Sequence, residues 1–376
     1  MGGGERHYSH STLNSPLYFC KDSPKLDRFA EPQCFALKAK CDDLRLNSSS
    51  GGAFSLIAEY VLSRGGVVFG ASFDENLNVI HRFIEKPEQL ELLRRSKYVE
   101  SFIGDSYKKA KEFLKAGRLV LFSGVQCQIH GLNSFLRKPY ENLISVELPC
   151  DSVPSSRVWE IYKESLELEL GEKLIDFNFR GKDFGWENAV FAIKTKTKTK
   201  TKTIPHYEDI FLMNFLNHTI TRKSCANCYS KGFVSGADML IGDFWGVRKY
   251  HADFVDDKGV SCIVVHNTKA LDIINSISNL CFLEQSNLEA VSKVNFTIIK
   301  SCDGNPRRDF ILHKFLSIYD KTHNATKAIK FLKRLEYKNT LSYWRHLYKT
   351  NPTRRKISNA IKTFKKQFIT KFRGNQ

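Results

Sequence analysis

The sequence lacks any uninterrupted apolar run of about 18 residues, the least that a spanning helix needs, so no transmembrane helix is expected. The stretch Met1 to His10 is Gly-rich and polar, without the apolar core of a secretory signal. Both absences predict a cytoplasmic protein. Acidic side chains are scarce in one place: residues 321–376 hold 16 Lys and Arg against the single acid Glu336. The whole chain carries +18, so its first 320 residues carry only +3. A uniformly basic, polyanion-binding body is thereby excluded. No RNA-binding motif accompanies the basic tail, so no nucleic-acid partner is expected. What is present suffices for a core: 42% hydrophobic and 26% charged residues in 376 exclude wholesale disorder.

Strand-like and helix-like segments alternate over residues 50–280. Ala53–Ser63 has apolar residues at helical spacing, and Val67–Phe73, Leu119–Ser123 and Leu143–Leu148 read as strands. Helices are expected near 87–96, 107–115, 128–135, from Pro154 to Leu170, and over 209–217 and 269–277. Further strands are expected at 174–180, 188–194, 238–242, 260–266 and near Cys281. The pattern predicts an α/β class, a mixed sheet body with flanking helices. Residues 1–33 read as an irregular N-terminal segment, 34–300 as the α/β domain, and 301–376 as a helical, basic C-terminal region. Ile357, Ile361, Phe364, Phe368 and Phe372 share one helical face ringed by lysines. Such a helix fits either peripheral contact through 354–373 with the inner face of the cytoplasmic membrane, or packing on the body. Five Lys-Thr dipeptides at 194–203 fit a hairpin edge strand or a solvated loop.

Ten cysteines in a reducing compartment are not a disulfide framework. Cys225-Ala226-Asn227-Cys228 is a CxxC in a polar loop, while Cys127 and Cys150 each follow a predicted strand. Loops after strands line the ligand crevice of α/β folds. Three readings stand together: buried structural thiols, an iron–sulfur cluster on Cys127, Cys150, Cys225 and Cys228, or zinc on Cys127, His130, Cys225 and Cys228. Ser48-Ser49-Ser50-Gly51-Gly52 precedes the first clear helix, where backbone N–H groups and small residues suit a phosphate; a Ser-rich cap is the plainer alternative. Asp243-Phe244-Trp245-Gly246 follows a strand and suits a pocket wall or the core. Lys97, Arg180, Lys182 and Arg222 are isolated cations near strand ends.

In order, these segments are Ser48 to Gly52, Gly65 to Gly70, Ser96 to Ser101, Leu121 to Gly124 with Cys127 to Ile129, Cys150 with Val153 to Ser155, Phe179 to Lys182 with Gly185-Trp186, Arg222 to Cys225 with Cys228, and Ala237-Asp238 through Gly246. Together they resemble the coenzyme F420 hydrogenase/dehydrogenase beta-subunit family, over roughly residues 34–285. That family includes plant 7-hydroxymethyl chlorophyll a reductase and members encoded with bacterial polysaccharide genes. The resemblance implies an oxidoreductase that uses FAD and a [4Fe–4S] cluster. It implies cluster ligands at Cys127, Cys150, Cys225 and Cys228, and a flavin site at Ser49, Ser50, Gly51 and Gly52 with Lys97. Arg180, Lys182 and Asp243 fall within its remaining motifs and are taken as cofactor-binding candidates.

The departures carry information. The family's Cys-rich ferredoxin-like N-terminal module is not expected, because residues 1–33 contain only Cys20. A separate electron-donor protein is then expected. The usual Gly-Thr-Pro-Cys reads Gly124-Val-Gln-Cys127, and the usual Cys-His-Gly reads Cys150-Asp-Ser152. The implied role lies in polysaccharide or related small-molecule metabolism, on a small-molecule or glycan-precursor substrate. The alternative is a non-catalytic or degenerate partner subunit or scaffold of such a system.

Overall fold

A computed structural model describes residues 28–197 and 202–336. Eleven strands are described: β1 Arg28–Ala39, β2 Val67–Phe73, β3 Val79–Ile84, β4 Val120–Val125, β5 Leu143–Leu148, β6 Leu174–Gly181, β7 Val190–Thr195, β8 Lys202–Pro205, β9 Met239–Asp243, β10 Ser261–Asn267 and β11 Cys281–Ser286. Eight of them form one sheet in the order β11-β1-β10-β9-β5-β4-β2-β3. Its centre, β9-β5-β4-β2, is parallel, and the strands on either side pair antiparallel. The remaining three make a small antiparallel sheet, β6-β7-β8. The expected mixed α/β body is therefore present.

The period of two along each strand decides which face a residue serves. Val68, Leu121, Ile144, Val146, Ile263 and Val265 pack under the helices Ala53–Leu62 and Thr268–Ser276. Val67, Phe69, Val120, Phe122 and Leu143 point to the opposite face, against the helices Ser106–Lys115 and Gln126–Leu136. A third core joins the small sheet to the helices Ser156–Leu170, Ile210–Leu216 and Arg308–Thr322. It is aromatic: Trp159, Phe177, Phe179, Phe191, Phe211 and Phe315 are all fully buried there. The helix Arg308–Thr322 is thus part of this core through Ile311 and Phe315.

Three elements differ from expectation. β1 starts at Arg28, inside the segment read as irregular, and its pairing with β10 breaks register between Arg28 and Gln33. Glu31 and Pro32 lie in that break and obscure the alternation. β3 has no counterpart among the expected strands, because His81 and Arg82 interrupt its apolar pattern. His81 is nevertheless buried, with Nδ1 2.6 Å from Ser101 Oγ and Nε2 3.0 Å from the Ser123 carbonyl. The helix expected at 87–96 is a 3-10 turn, Pro87–Leu92. The ends of the Lys-Thr repeat fall on β7 and β8, which pair antiparallel with β8 at the edge. No helix among the described residues is long and apolar enough to cross a membrane. The amphipathic stretch 357–372 and the contact assigned to 354–373 lie outside the described residues.

Helix Ala53–Leu62 begins where the chain makes its closest approach to the sheet. A Cβ on Gly51 would lie 2.2 Å from the Leu37 carbonyl oxygen and 2.6 Å from the Ser261 nitrogen, both backbone atoms that cannot step aside. Gly52 caps the helix at φ 95°, in the left-handed region. Gly51→Ala is expected to cost about 1–3 kcal/mol of stability, the range for overpacking a tight interior. Urea denaturation checks this; an unchanged midpoint would show that the approach relaxes freely.

Candidate functional site

β4, β5 and β9 are adjacent and parallel, so their C-terminal ends open on the same edge of the sheet. Cys127 lies in the first turn of the helix that follows β4, Cys150 lies just after β5, and Asp243 ends β9. This is the crevice position of open α/β sheets. Two side-chain groups occupy it.

The first group is cationic and aromatic. Arg180, at the end of β6, is buried, with Nη2 3.5 Å from Asp243 Oδ2 and its guanidinium 5.0 Å from the centre of the Trp245 ring. Trp245 stacks on Trp186 at 5.0 Å and 6°, and Trp186 Nε1 donates to Asp243 Oδ1 at 2.9 Å. Burial acts to lower the Arg180 pKa, but Asp243 and Tyr98 outweigh it and raise it. Arg180 Nε is buried without a hydrogen-bond partner among the described residues. Lys182 reaches back to the Ser/Gly loop: its ammonium donates to the carbonyls of Arg45 (2.6 Å), Ser50 (2.9 Å) and Lys258 (2.6 Å). Burial, reinforced by Arg180 and Arg45, lowers its pKa to about 7, against the pull of Asp243 and Asp256. Arg45 is itself buried in an ion pair with Asp256 and donates to the Gly259 carbonyl at 2.8 Å.

The Ser/Gly loop is tied into this group from within. Ser49 Oγ accepts from Ser96 N at 2.7 Å, Ser50 Oγ donates to the Val260 carbonyl at 2.7 Å, and Gly51 N donates to Ser261 Oγ at 3.0 Å. These polar atoms serve neighbouring loops of the chain. Lys97 follows Ser96 and donates to the carbonyls of Arg94 (2.7 Å) and Arg95 (3.1 Å). Burial, then Arg95, lowers its pKa to about 7. All eight residues expected to bind a cofactor thus belong to one connected region. Arg45, Arg180 and Lys182 face Asp243, Asp256 and Asp42, the last 3.9 Å from Arg45. Arg180 and Trp186 both lie against Trp245, so the buried cation and the two rings form one stack.

The second group is thiol-rich. Cys225 lies in the 3-10 turn Lys223–Asn227, and Cys228 ends it. Burial raises the Cys127 pKa to about 11, and Cys228 and Cys225 contribute to the rise. Burial also raises Cys150, with Lys231 opposing and Cys127, Cys225 and Cys228 adding to the rise. Burial raises Cys225 too, with Cys302 and then Cys228 adding to the rise, so Cys302 shares the neighbourhood of these thiols. Lys231 is buried beside them, donating to Gln126 Oε1 (2.7 Å), the Thr297 carbonyl (2.9 Å) and the Cys150 carbonyl. The zinc alternative fits less well. Tetrahedral zinc with ~2.3 Å Zn–S bonds needs sulfurs roughly 3.8 Å apart. Among the described residues, only Asp151, His218 and Cys302 bring three such ligand atoms within 4.8 Å of one another. Cys127, His130, Cys225 and Cys228 do not. His130 Nδ1 lies instead 2.8 Å from Ser230 Oγ. A four-iron cube is wider than one ion, so its ligands stand farther apart.

Sequence reasoning did not find Arg45, Tyr98 or Lys231, nor His218 and Cys302. Each is a single polar residue whose partners lie far along the chain, so no spacing announces it. Arg222, read as an isolated cation, pairs with Glu100.

Residues 117–291 match the family model for the C terminus of the coenzyme F420 hydrogenase/dehydrogenase beta subunit. No curated protein matches. Among solved structures, a chain from a study of xenon derivatization of the F420-reducing [NiFe] hydrogenase complex from Methanosarcina barkeri is similar at 16% identity. The match covers 85% of this chain and 95% of that one, with a TM-score of 0.47. The matched family points in general terms to an oxidoreductase. Residues 117–291, which carry Cys127, Cys150, Arg180, Lys182, Cys225, Cys228 and Asp243, thus match the C-terminal domain of the coenzyme F420 hydrogenase/dehydrogenase beta-subunit family.

Proposed function

We propose that the protein is a flavin- and iron–sulfur-dependent oxidoreductase that takes electrons from, or delivers them to, a separate protein. The observation that carries this is the meeting of Arg180, Lys182 and a stacked tryptophan pair with a group of interacting thiols at one edge of the parallel sheet. Cys127, Cys150, Cys225 and Cys228 would hold a [4Fe–4S] cluster, with Lys231 offsetting part of its thiolate charge. Arg180, Lys182 and Lys97 would hold FAD by charge, Asp243 would fix Arg180 and Trp186, and Ser49 to Gly52 would shape the loop that carries Lys182's acceptor. When bound, these groups supply conversion between two-electron and one-electron chemistry. The substrate class we infer from the family resemblance is a small molecule or glycan precursor.

Full-length protein purified anaerobically is expected to carry flavin and about four irons per chain. Colourless, iron-free protein after anaerobic reconstitution would overturn the proposal and favour a degenerate scaffold. Cys225→Ser should abolish the visible cluster absorbance while flavin fluorescence after acid release persists. Charge makes a third prediction. Lys97 and Lys182 have pKa values lowered to about 7, so both are largely charged below pH 7 and lose charge above it. An anionic cofactor favours their charged forms, so FAD binding should take up protons and weaken as pH rises from about 7 to 9. Titrating FAD into flavin-free protein across that range checks it; affinity that is flat or rises with pH contradicts the assignment of these two lysines.

A further inference from the structure

Three segments distant in sequence meet beside the thiol group. His218 Nε2 lies 2.6 Å from Asp151 Oδ2, and the Cys302 thiol lies beside the same pair. One ligand atom from each of the three residues lies within 4.8 Å of the other two. An Asp–His ion pair is common by itself, but it has no need of a buried thiol converging on the same ring. The backbone around the three is fixed independently of them. Arg222 N donates to the Val153 carbonyl at 2.9 Å, and Pro154 and Thr221 form an antiparallel bridge. Asn305 Nδ2 donates to the Asn217 carbonyl at 2.8 Å, and Arg308 Nη1 donates to that of Thr221 at 3.1 Å. Ser301 Oγ accepts from Cys228 N at 3.0 Å and sets Cys302 against the CxxC turn. Cys302 is buried, while the side chains of His218 and Asp151 retain 15% and 25% exposure, so an entry path exists on the carboxylate side.

We propose that Asp151, His218 and Cys302 form a mononuclear zinc site, adjoining Cys225 of the four-cysteine group but with its own ligands, that staples the 150–154, 217–222 and 301–305 segments together. The donor set is one carboxylate oxygen, one imidazole nitrogen and one thiolate sulfur. Calcium and magnesium take oxygen ligands, and copper(I) prefers sulfur alone, so a borderline ion such as zinc suits this mixture. Three protein ligands leave the fourth tetrahedral position to water. Binding at a joint between three segments stabilises the folded chain, because the unfolded chain does not present the site.

Full-length protein freed of metal with chelator, under reductant, is the material for the test. Cobalt(II) should bind at one equivalent per chain, with a thiolate-to-cobalt charge-transfer band. Zinc should displace it and raise Tm. X-ray absorption at the cobalt edge should show one sulfur among otherwise nitrogen and oxygen neighbours. His218→Gln and Asp151→Asn should each weaken cobalt binding by more than the roughly 10–100-fold that outer-shell changes cost. Cys127→Ser/Cys228→Ser, which removes two proposed cluster ligands, should leave it intact. A shell of three or more sulfurs in the unmutated chain would overturn the proposal, whatever the variants do. So would cobalt binding that survives His218→Gln and Asp151→Asn but vanishes in the double serine variant. Iron and flavin content are read separately, so failure of the zinc site leaves the oxidoreductase assignment untouched.

Discussion

The parallel register of β4, β5 and β9 is the constraint on which the rest of the site depends. Val120 pairs with Leu143 and Val146 with Met239, so three successive strands run out at one edge within a few residues of one another. Strands spaced about 4.8 Å apart then deliver Cys127, Cys150 and Asp243 side by side. The apolar faces of the same strands are shared between two helical layers, which prevents a one-residue slip. Chemistry at the edge is thereby positioned by packing in the middle.

Charge is handled differently on the two sides of that edge. On the thiol side, a buried lysine ammonium ends on carbonyls and an amide oxygen and opposes the rise of the nearby Cys150. On the cationic side, Lys182 also ends on three backbone carbonyls, but it sits among guanidinium groups that make its charge harder to hold. One lysine opposes the rise of a neighbouring thiol, whereas the other has its own pKa lowered by burial and neighbouring cations. Both are fixed by backbone acceptors, so neither can swing away when a ligand arrives. Truncating Lys182 would leave the carbonyls of Arg45, Ser50 and Lys258 without this donor, so its structural and electrostatic contributions are joined.

Much of the sheet is legible in the sequence because its central strands are short apolar runs bounded by turns, as at Val67–Phe73 and Leu143–Leu148. β3 is not, because His81 occupies a core position by hydrogen bonding and so looks like a surface residue in sequence. The thiols are legible as a set because CxxC is a local pattern and two further cysteines follow strands. Lys182 looks like an isolated surface cation; its acceptors lie 137, 132 and 76 residues away. Cys302 carries no local signal, since what recruits it is a serine bond to a turn 73 residues earlier. Sequence patterns report periodic contacts with the core, whereas these residues are defined by single long-range polar contacts.

The Ser301 bond to Cys228 has a consequence for how the protein is made. The turn bearing Cys225 and Cys228 is complete as sequence well before its anchor exists. During synthesis the four thiols of the group leave the ribosome with that turn still lacking its clamp, and the helix Arg308–Thr322 that closes the aromatic core follows later still. The thiol group therefore reaches its final geometry only once residue 301 has been made, and fragments that stop before it would lack the clamp on the CxxC turn.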